Sequence, residues 1–494
     1  MIAELVIFII FLVLLRLFVF KSRTERMLEK LPGPKGYPII GNLLDFDYPR
    51  TEVTETMKQL SFKFGSVFCF KLGFDPIIGL RNPSDIELVL GSTSIIDKGP
   101  LYWPLYPWLN QGLLTSGGEK WRKHRKILTP AFHFKVLENF VPLFGKHAQV
   151  LTKKLLTLTD IEVDIMPIIA LCALDVISET AMGLEINAQL KESKYVKAVN
   201  ELQEIMAHRN FDFLQRSFLF PLLPSGRRHD QLIAYLHSVT EDVMKERKAK
   251  LLDTLPSQEE ESFEDKEMGI KKKKVFLDLL LQYNSEGAGM TDDEIRDEVD
   301  TFMFEGYDTT TSTTSFCLYA LSQNPNVQER ALEELKTIFG DSEREATFQD
   351  LQEMKYLDKV IKETLRRYPT VQFIARKSSD DLLLNSGYTL PKDISIMVLI
   401  EAMNHDPDVY PDPMNFDPDR FDQKAANPYT FVPFSAGVRN CIGQKYAMLE
   451  VKSVVSNILR RFRLLPSDVP ITPWFNIVLK SKTGVYLKLE SRNI

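Results

Sequence analysis

In the stretch Phe434-Ser-Ala-Gly437-Val-Arg439-Asn-Cys441-Ile-Gly443, the cysteine lies directly before residues 444–462, whose periodicity predicts a helix. A helix N-terminus carries unpaired N–H groups and a partial positive charge, which favour the deprotonated sulfur that a metal ligand requires. A lone cysteine is otherwise most simply an inert, buried hydrophobic residue. The residues that flank Cys441 favour the first interpretation, a thiolate that binds a metal.

The flanking residues suit a large, flat cofactor. Gly437 and Gly443 carry no side chains, so a flat group is expected to approach the backbone closely there. Arg439 is suited to bind a carboxylate such as a haem propionate. Phe434 is expected to pack on the cysteine side of the cofactor and to exclude water from the metal–sulfur bond. Together these residues predict a site for a flat, metal-containing cofactor with Cys441 as the metal ligand.

The composition limits the possible functions of the chain. Its 494 residues, 44% hydrophobic and 26% charged, are enough for a large core, and the net charge of -6 argues against general binding of nucleic acid. The cysteines Cys69, Cys172, Cys317 and Cys441 show no CxxC spacing, which indicates a reducing compartment. We find neither a P-loop nor a GxGxxG motif, so we expect electrons to come from a separate protein.

The N-terminus predicts a membrane anchor over residues 1–21. Residues 2–20 are apolar except for Glu4 and Arg16, a length sufficient to span a bilayer. A cleaved signal peptide would begin with basic residues and end at a small-residue cleavage site, and the sequence shows neither feature. Basic residues follow the span, which places the body of the protein in the cytosol. Residues 22–42 are predicted to form a basic and Pro/Gly-rich hinge, and residues 43–494 the functional domain.

Helical periodicity dominates the rest of the chain. Predicted helices cover residues 51–64, 119–127, 136–157, 165–184, 191–207, 228–251, 292–323, 325–338 and 355–367, and predicted strands cover 67–72, 75–80 and 484–490. The expected fold class is therefore mainly α with a small β region (α+β).

The loop around Cys441 resembles the haem-binding loop of the cytochrome P-450 superfamily, the haem-thiolate monooxygenases. The resemblance covers nearly the whole chain and implies the fold of that superfamily behind an N-terminal transmembrane anchor. It also implies haem b (iron protoporphyrin IX) as cofactor, a lipophilic substrate and NADPH as the electron source. The implied donor is a separate NADPH-cytochrome reductase flavoprotein, with a cytochrome b-type protein as a second candidate. By the same resemblance to microsomal members, the enzyme is expected on the cytosolic face of the endoplasmic reticulum membrane.

The predicted helix at 292–323 carries a second group of candidate residues. Glu305, Asp308 and Thr309 are spaced i, i+3 and i+4, so we expect them to share a face. Residues 309–315 are all Thr or Ser, whose hydroxyls can bond back to carbonyls and open a local groove. In the superfamily such a helix crosses the open face of the haem, and Asp308 and Thr309 match its proton-relaying acid-alcohol pair. The alternative is a bent, buried helix whose hydroxyl groups are all hydrogen-bonded.

Glu305 follows Phe302, Met303 and Phe304, where burial of an unpaired carboxylate is costly. The string around it resembles family four, the fatty-acid omega-hydroxylase group, in which the matching Glu can form an ester with a haem methyl group. The alternative is a carboxylate hydrogen-bonded to water or a hydroxyl. Tyr307 departs from the His that is common in that string, which puts the local hydrogen bonding in doubt.

Further residues match supporting sites of the superfamily. Glu363 and Arg366 have ion-pair spacing on a helix and, with Arg420, resemble its buried structural Glu-Arg-Arg cluster; taken alone, the pair is typical of a solvated surface. Trp121, Arg125 and Arg376 match contacts to the haem propionates. The basic residues beside Trp121 form either a solvated face or the docking surface for an acidic reductase.

Two aromatic-rich segments are predicted to pack in the core or to shape substrate access. The first contains Tyr102, Trp103, Tyr106 and Trp108, and the second contains Phe211, Phe213, Phe218 and Phe220. The second also suits shallow membrane insertion.

These observations predict a monooxygenase that hydroxylates a fatty acid at or near its terminal carbon. Hormones or foreign lipophiles are the alternative substrates. A haem sensor without turnover, or an enzyme that rearranges peroxides, is disfavoured by Asp308 and Thr309.

Overall fold

The computed structural model describes residues 21–46, 53–191, 193–253, 275–285 and 290–492. Residues 1–20, which make up almost all of the predicted anchor, lie outside this part of the chain. Within the described ranges, no helix combines the length and the apolar character needed to cross a bilayer.

The fold is mainly helical with small sheets, which confirms the predicted class. The α-helices are α1 (Arg23–Leu28), α2 (Leu43–Phe46), α3 (Val53–Phe64), α4 (Pro83–Leu90), α5 (Tyr106–Leu109), α6 (Gly118–Leu128), α7 (Phe134–Leu137), α8 (Val141–Leu156), α9 (Ile165–Thr180), α10 (Lys194–Phe211), α11 (Phe213–Arg216), α12 (Pro224–Asp253), α13 (Phe276–Ser285), α14 (Asp292–Gln323), α15 (Pro325–Phe339), α16 (Phe348–Glu353), α17 (Lys355–Arg367), α18 (Ile400–Asn404) and α19 (Gln444–Arg461).

Short 3₁₀ turns connect several of these helices. They cover Pro100–Leu105, Thr129–Phe132, Glu138–Phe140, Ala188–Leu190, Phe220–Leu222, Pro418–Asp422, Pro428–Thr430 and Gly437–Arg439.

The strands form four small sheets. They are β1 (Val67–Leu72), β2 (Asp75–Leu80), β3 (Glu162–Asp164), β4 (Ile374–Lys377), β5 (Leu382–Leu383), β6 (Thr389–Leu390), β7 (Ser395–Val398), β8 (Phe462–Pro466), β9 (Pro473–Asn476), β10 (Val478–Ser481) and β11 (Tyr486–Ser491). One sheet has the order β1-β2-β7-β4, in which β2 and β7 are parallel, and another has the order β3-β11-β8; β9 pairs with β10 and β5 with β6.

Helix α14 organises the core. It begins at a capping box, in which Thr291 Oγ1 accepts from the Glu294 N–H and the Glu294 carboxylate accepts from the Thr291 N–H. It ends at Asn324, before Pro325, which cannot continue it. At about 1.5 Å per residue its 32 residues extend about 48 Å. Most of its side chains are buried, so it forms one wall of the interior over nearly its whole length.

The predicted hinge at 22–42 is docked on the body of the protein. Arg23 pairs with Asp381, and the Pro32 carbonyl accepts from the Cys69 N–H at 2.8 Å. The polypeptide therefore contacts the domain from its first described helix.

Candidate active site

A cavity of about 300 Å³ separates α14 from the Cys441 loop. Most of the predicted site residues line it, and they come from α6, α14, β4 and the loop before α19. They are Trp121, Arg125, Glu305, Thr309, Arg376, Phe434, Arg439, Cys441 and Gly443. Asp308 and Gly437 do not line it. The other walls are largely apolar and include Leu101, Phe475 and Val478.

The Cys441 loop is a closed turn that presents the sulfur to the cavity. The Cys441 N–H donates to the Phe434 carbonyl at 2.8 Å, and α19 begins at Gln444 with Gly443 as its N-cap. The Cys441 side chain is exposed, and the space it faces is the cavity. This matches the predicted position of the sulfur before a helix.

Although Cys441 is open to the cavity, it lies inside the protein, and the resulting desolvation of its thiol raises the pKa to about 11, with a further contribution from the nearby charge of Glu305. The N–H of Gly443, as the sequence predicted for the helix N-terminus, and the charge of Arg125 act in the opposite direction, but they are outweighed. A positive charge at the sulfur, such as a bound metal ion, is therefore needed to hold the thiolate.

The two glycines of the loop have different roles. Gly437 has a φ of +67°, and a Cβ there would overlap the Leu90 carbonyl oxygen. It is therefore required by the turn and by the packing on α4, and the prediction that it clears space for a cofactor is wrong. Gly443 does face the cavity, and the nearest atom to a Cβ there would be the Cys441 sulfur at 3.9 Å.

Arg439 points into the cation-rich end of the cavity. It donates to the carbonyls of Ser116 at 2.6 Å and Leu114 at 2.9 Å, and its guanidinium lies 4.7 Å from the centre of the Trp121 ring. Burial and the neighbouring Arg376 lower the pKa of Arg439 to about 9. Within the part of the chain that the structure describes, no carboxylate forms a salt bridge with it.

Arg376 and Lys98 complete this end of the cavity. Arg376 is 2% exposed and donates to the Ala375 carbonyl and to Ser435 Oγ. The Lys98 ammonium lies 4.2 Å from the centre of the Tyr102 ring. Burial, followed by the charges of Arg376 and Arg439, lowers the pKa of Lys98 well below its usual value. The buried Arg376 and Arg439 and the partly buried Lys98 thus disfavour one another's positive charge, and an anionic ligand group would relieve this repulsion.

Arg125 holds the cysteine loop against α6. Its two terminal nitrogens donate to the carbonyl and the side-chain oxygen of Asn440, both at 2.8 Å. Because Asn440 directly precedes Cys441, this bidentate contact fixes the orientation of the loop.

Five of the seven Thr and Ser residues at 309–315 bond back to the helix, as predicted, whereas Ser312 donates to the Leu479 carbonyl of β10. Thr309 Oγ1 donates to the Glu305 carbonyl at 2.8 Å, and Thr313 Oγ1 donates to the Thr309 carbonyl at 2.9 Å. The helix nevertheless stays α-helical from Asp292 to Gln323, so the predicted local opening is wrong. Gly306 instead allows close packing, because a Cβ there would meet Ile177 of α9.

Asp308 does not share the cavity face with Glu305 and Thr309, contrary to the sequence expectation. One carboxylate oxygen accepts from Gln203 Nε2 at 3.0 Å, and the other forms a salt bridge with Lys480 of β10. These partners, which are distant in the sequence, hold the side chain away from Thr309 although the two residues are adjacent.

Glu305 faces the cavity, and no described residue hydrogen-bonds to its carboxylate. Burial raises its pKa to about 7, and Lys98 and Arg439 oppose this shift. The carboxyl group is therefore available to react with, or to hydrogen-bond, a bound group.

Comparison with known proteins decides the family. The family model described as Cytochrome P450 matches residues 31–488. The chain belongs to the cytochrome P450 family. Among its relatives, Cytochrome P450 4d2 of Drosophila melanogaster is 41% identical over 476 residues, covering 94% of each chain. Cytochrome P450 4V2 of Mus musculus is 37% identical over 497 residues, covering 96% of this chain and 92% of its own. Cytochrome P450 4c21 of Blattella germanica is 38% identical and covers 91% of each.

This cytochrome P450 is therefore a monooxygenase that uses haem, receives electrons from a redox partner and acts on lipophilic substrates. The interpretation as a sensor without turnover is set aside. The names of these relatives also agree with the predicted membership of family four.

The residues present fit haem. The Cys441 sulfur opens to a cavity with largely apolar walls, and the carboxylates of a haem would relieve the repulsion among Lys98, Arg376 and Arg439. Lys98 was missed by the sequence analysis, because it lies outside any predicted helix face. The one sequence feature that could have indicated Lys98 is that a single lysine lies just before the first aromatic segment.

The structure also brings Glu363, Arg366 and Arg420 together. Glu363 and Arg366 are fully buried and form a bidentate pair at 2.7 and 2.8 Å. Arg420 approaches Glu363 to 3.4 Å, and Arg366 also donates to the Asn404 carbonyl. The pair is not a solvated surface pair, and its role as a structural support of the cysteine loop stays a prediction.

The aromatic segments divide between core and surface. Tyr102 lines the cavity and Trp108 is fully buried, whereas Trp103 is exposed. In the second segment Phe211 and Phe220 are buried, and the exposed apolar side chains are Phe213, Leu214, Phe218, Leu219 and Leu222.

Proposed function

We propose that this cytochrome P450 hydroxylates a fatty acid at or near its terminal carbon. In this proposal the electrons come from NADPH through a separate flavoprotein reductase. The observation that carries the substrate proposal is Glu305, a carboxyl group that faces the cavity one turn from Thr309 without a hydrogen bond from any described residue. The resemblance of the surrounding string to the fatty-acid omega-hydroxylases supports the same substrate class.

The residues of the chain have distinct roles in this proposal. When bound, haem ligated by the Cys441 thiolate supplies the redox chemistry that cleaves dioxygen. Arg376, Arg439 and Lys98 would hold its carboxylates, and the Trp121 ring packs against the Arg439 guanidinium. Thr309 and Asp308 relay the protons that the cleavage consumes, and Asp308 must first exchange its partner Lys480.

We assign Glu305 a further role, an ester bond to a methyl group of the haem, in which a C–O bond would replace one methyl C–H bond. This two-electron oxidation would be balanced by the reduction of dioxygen to water, with NADPH supplying the other two electrons. The apolar neighbours of Glu305 disfavour the free carboxylate, as the raised pKa reflects, and an ester removes that charge. After turnover with substrate, acid denaturation should leave haem on the chain of the parent enzyme. Glu305→Gln, which keeps the shape but cannot form the ester, should release all of it. Complete extraction of haem from the parent enzyme after turnover would refute the ester.

The primary C–H bond of the terminal methyl is stronger than the secondary C–H bond beside it. Hydroxylation at the terminal carbon therefore requires a binding site that positions the methyl group, and not its neighbour, for attack. The apolar lining supports binding of an alkyl chain, at about 0.8 kcal/mol per buried CH₂. A haem tethered through Glu305 would move less beneath the chain end. The test is the ratio of terminal to subterminal alcohols from saturated fatty acids of several lengths. Mainly subterminal products, or turnover of hormones or foreign lipophiles alone, would overturn this substrate assignment.

Two surfaces support a location on the endoplasmic reticulum membrane facing the cytosol. Phe218 is 90% exposed and Leu222 is 72% exposed, which suits shallow insertion of this segment into lipid. On α6, Arg122, Lys123 and Lys126 are exposed on the side away from Trp121, which suits an acidic reductase. Phe218→Ser should weaken binding to liposomes, and Lys126→Glu should weaken reduction by the reductase at low salt. Unchanged values in both assays would refute the two surfaces.

A further inference from the structure

A set of buried polar atoms without partners lies on the side of α14 that faces away from the cavity. The hydroxyls of Tyr307 and Tyr195 and one carboxylate oxygen of Asp300 form no hydrogen bond with any described residue. These three residues are at most 5% exposed. Trp108 Nε1 and Gln203 Oε1 are buried without partners as well. Buried polar groups are almost always hydrogen-bonded, so such a group of atoms is where buried water binds.

These atoms form a line along α14. Asp300, Tyr307 and Asp308 are spaced i, i+7 and i+8, so they lie near one another on the helix over about 12 Å of its length. The Tyr195 ring of α10 meets the Tyr307 ring edge-on, with centroids 6.1 Å apart. Burial and then the charges of Asp300 and Asp308 raise the pKa of the Tyr195 phenol well above its usual value, so both carboxyl groups are close enough to act on it.

One end of the line reaches solvent at His237. The His237 side chain is 22% exposed, and its Nε2 donates to the Trp108 carbonyl at 2.8 Å. The same nitrogen lies 3.6 Å from the unpartnered oxygen of Asp300, so a shift of the ring or a bridging water is needed to connect the two groups. The other Asp300 oxygen accepts from Thr240 Oγ1 at 2.5 Å. Burial raises the pKa of Asp300 to about 8, against the effects of Thr240 and Arg296, so this carboxyl group holds a proton near neutral pH.

The other end of the line is Asp308, which directly precedes Thr309. Asp308 is fully buried and bonded to Gln203 and Lys480, and it does not reach the cavity. A proton that Asp308 gives up toward Thr309 must be replaced, and the charge of Asp308 acts on the phenols of both Tyr195 and Tyr307, whose hydroxyls have no partner among the described residues.

We infer that Asp300, Tyr195, Tyr307 and buried water form a proton-supply route from His237 to Asp308. This inference rests on the proposed relay role of Asp308 and Thr309. Each hydroxyl or water accepts one proton and donates another, so no group on the route changes its net protonation. One proton enters from solvent for each that leaves Asp308, and no electron moves along the route. Tyr307, where a His is common in the family-four string, supplies a hydroxyl to this route.

The test removes two oxygen atoms and nothing else. The double variant Tyr195→Phe and Tyr307→Phe interrupts the line without opening a large cavity. Tyr356→Phe is the matched control, because the Tyr356 hydroxyl is also buried without a partner but lies outside the line. The spectrum of the reduced carbonyl complex checks that each variant is folded and holds haem. The single variant Tyr307→Phe serves if the double variant does not fold.

We expect the double variant to lose about tenfold in product formed per NADPH consumed, with a matching rise in peroxide, and the control to be unchanged. The solvent deuterium isotope effect on product formation should rise in the double variant. Independently of turnover, a high-resolution crystal structure should contain waters that bridge the two tyrosine hydroxyls to Asp300 or Asp308.

The route would be overturned by a crystal structure without water between the tyrosine hydroxyls and Asp300 or Asp308. It would also be overturned if the double variant formed as much product per NADPH as Tyr356→Phe. Thr309→Ala separates the route from the function on which it rests. If Thr309→Ala uncouples the enzyme and the double variant does not, the relay stands and the route is wrong. If the double variant uncouples and Thr309→Ala does not, the route stands and the role of Thr309 is wrong.

Discussion

The wall of the cavity formed by the Cys441 loop and the wall formed by α14 differ in how their polar groups are bonded. On the loop side Arg125 is bonded twice to Asn440, Arg439 donates to backbone carbonyls, and the Cys441 N–H is bonded to Phe434. On and behind α14, Glu305 has no hydrogen bond from a described residue, and Tyr307 has an unpartnered hydroxyl. The loop side is therefore built to hold one geometry, and the α14 side keeps groups free to exchange protons.

The difference follows from what each wall must do. A metal ligand has to stay in place through every turnover, so the groups that support it are fully hydrogen-bonded. A proton relay needs groups whose hydrogen bonds can be exchanged, and a fully bonded wall would block it. If this comparison is right, substitutions in the loop wall should abolish binding or folding, whereas those in the α14 wall should spare the structure and change coupling or pH dependence.

The largest effect is expected at Cys441. Cys441→His should eliminate both the strongly red-shifted Soret band of the reduced carbonyl complex and the product, because the thiolate is the proposed ligand. Cys69→Ser, at a cysteine outside the cavity, is the matched control and should keep both. Survival of the red-shifted band in Cys441→His would show that the ligand has been misassigned.

The second effect tests the support behind the loop. Arg366→Leu should destabilise the fold by about 3–5 kcal/mol, because it leaves the Glu363 carboxylate buried without its bidentate partner. Arg330→Leu removes a half-exposed partner of Asp419 and should cost no more than about 1 kcal/mol. Denaturant midpoints of the haem-bound proteins measure both. Equal costs would mean that the buried cluster is no more important than a surface pair.

The residues of the loop wall could be predicted from the sequence, because Phe434, Arg439, Cys441 and Gly443 are nearly contiguous. The bonds from Arg125 to Asn440 and from Arg439 to the Ser116 carbonyl could not, since they join segments 315 and 323 residues apart. Helix α14 could also be predicted, because its capping box and following Asn-Pro mark both ends, and so could β1 and β2, which the structure has at the predicted residues. Asp308 illustrates the limit. Helix spacing predicts that Asp308 shares a face with Glu305 and Thr309, but a salt bridge to Lys480, 172 residues away in the sequence, keeps its side chain out of the cavity. Lys98 and Tyr195 were missed for the same reason, since their surroundings are formed by distant segments.

The third effect lies in the α14 wall. Thr309→Ala should leave haem binding intact and lower product per NADPH by about tenfold, with peroxide in place of product, because the hydroxyl is proposed to deliver protons. Thr313→Ala is the matched control, since Thr313 lines the cavity one turn away and makes the same kind of bond to a helix carbonyl. Equal coupling in the two variants would argue against a relay through Thr309.

The last effect is spread over several pH units: a pH dependence of stability that arises at Asp300. Burial raises its pKa from 3.8 to about 8, so the unfolded chain loses this proton near pH 4 whereas the folded protein keeps it until about pH 8. Between these values the folded state binds more protons, so stability should fall as pH rises, by at most about 1.4 kcal/mol per pH unit, and level off above pH 8. Asp300→Asn keeps an oxygen for Thr240 and should remove this part of the slope. Asp293→Asn, at an exposed carboxylate in the first turn of the same helix, should not. Denaturant unfolding of the haem-bound proteins from pH 5 to 8.5 measures the slopes, and equal slopes in the parent and Asp300→Asn would mean that this carboxyl group is charged in the folded protein and that the wall behind α14 holds no stored proton.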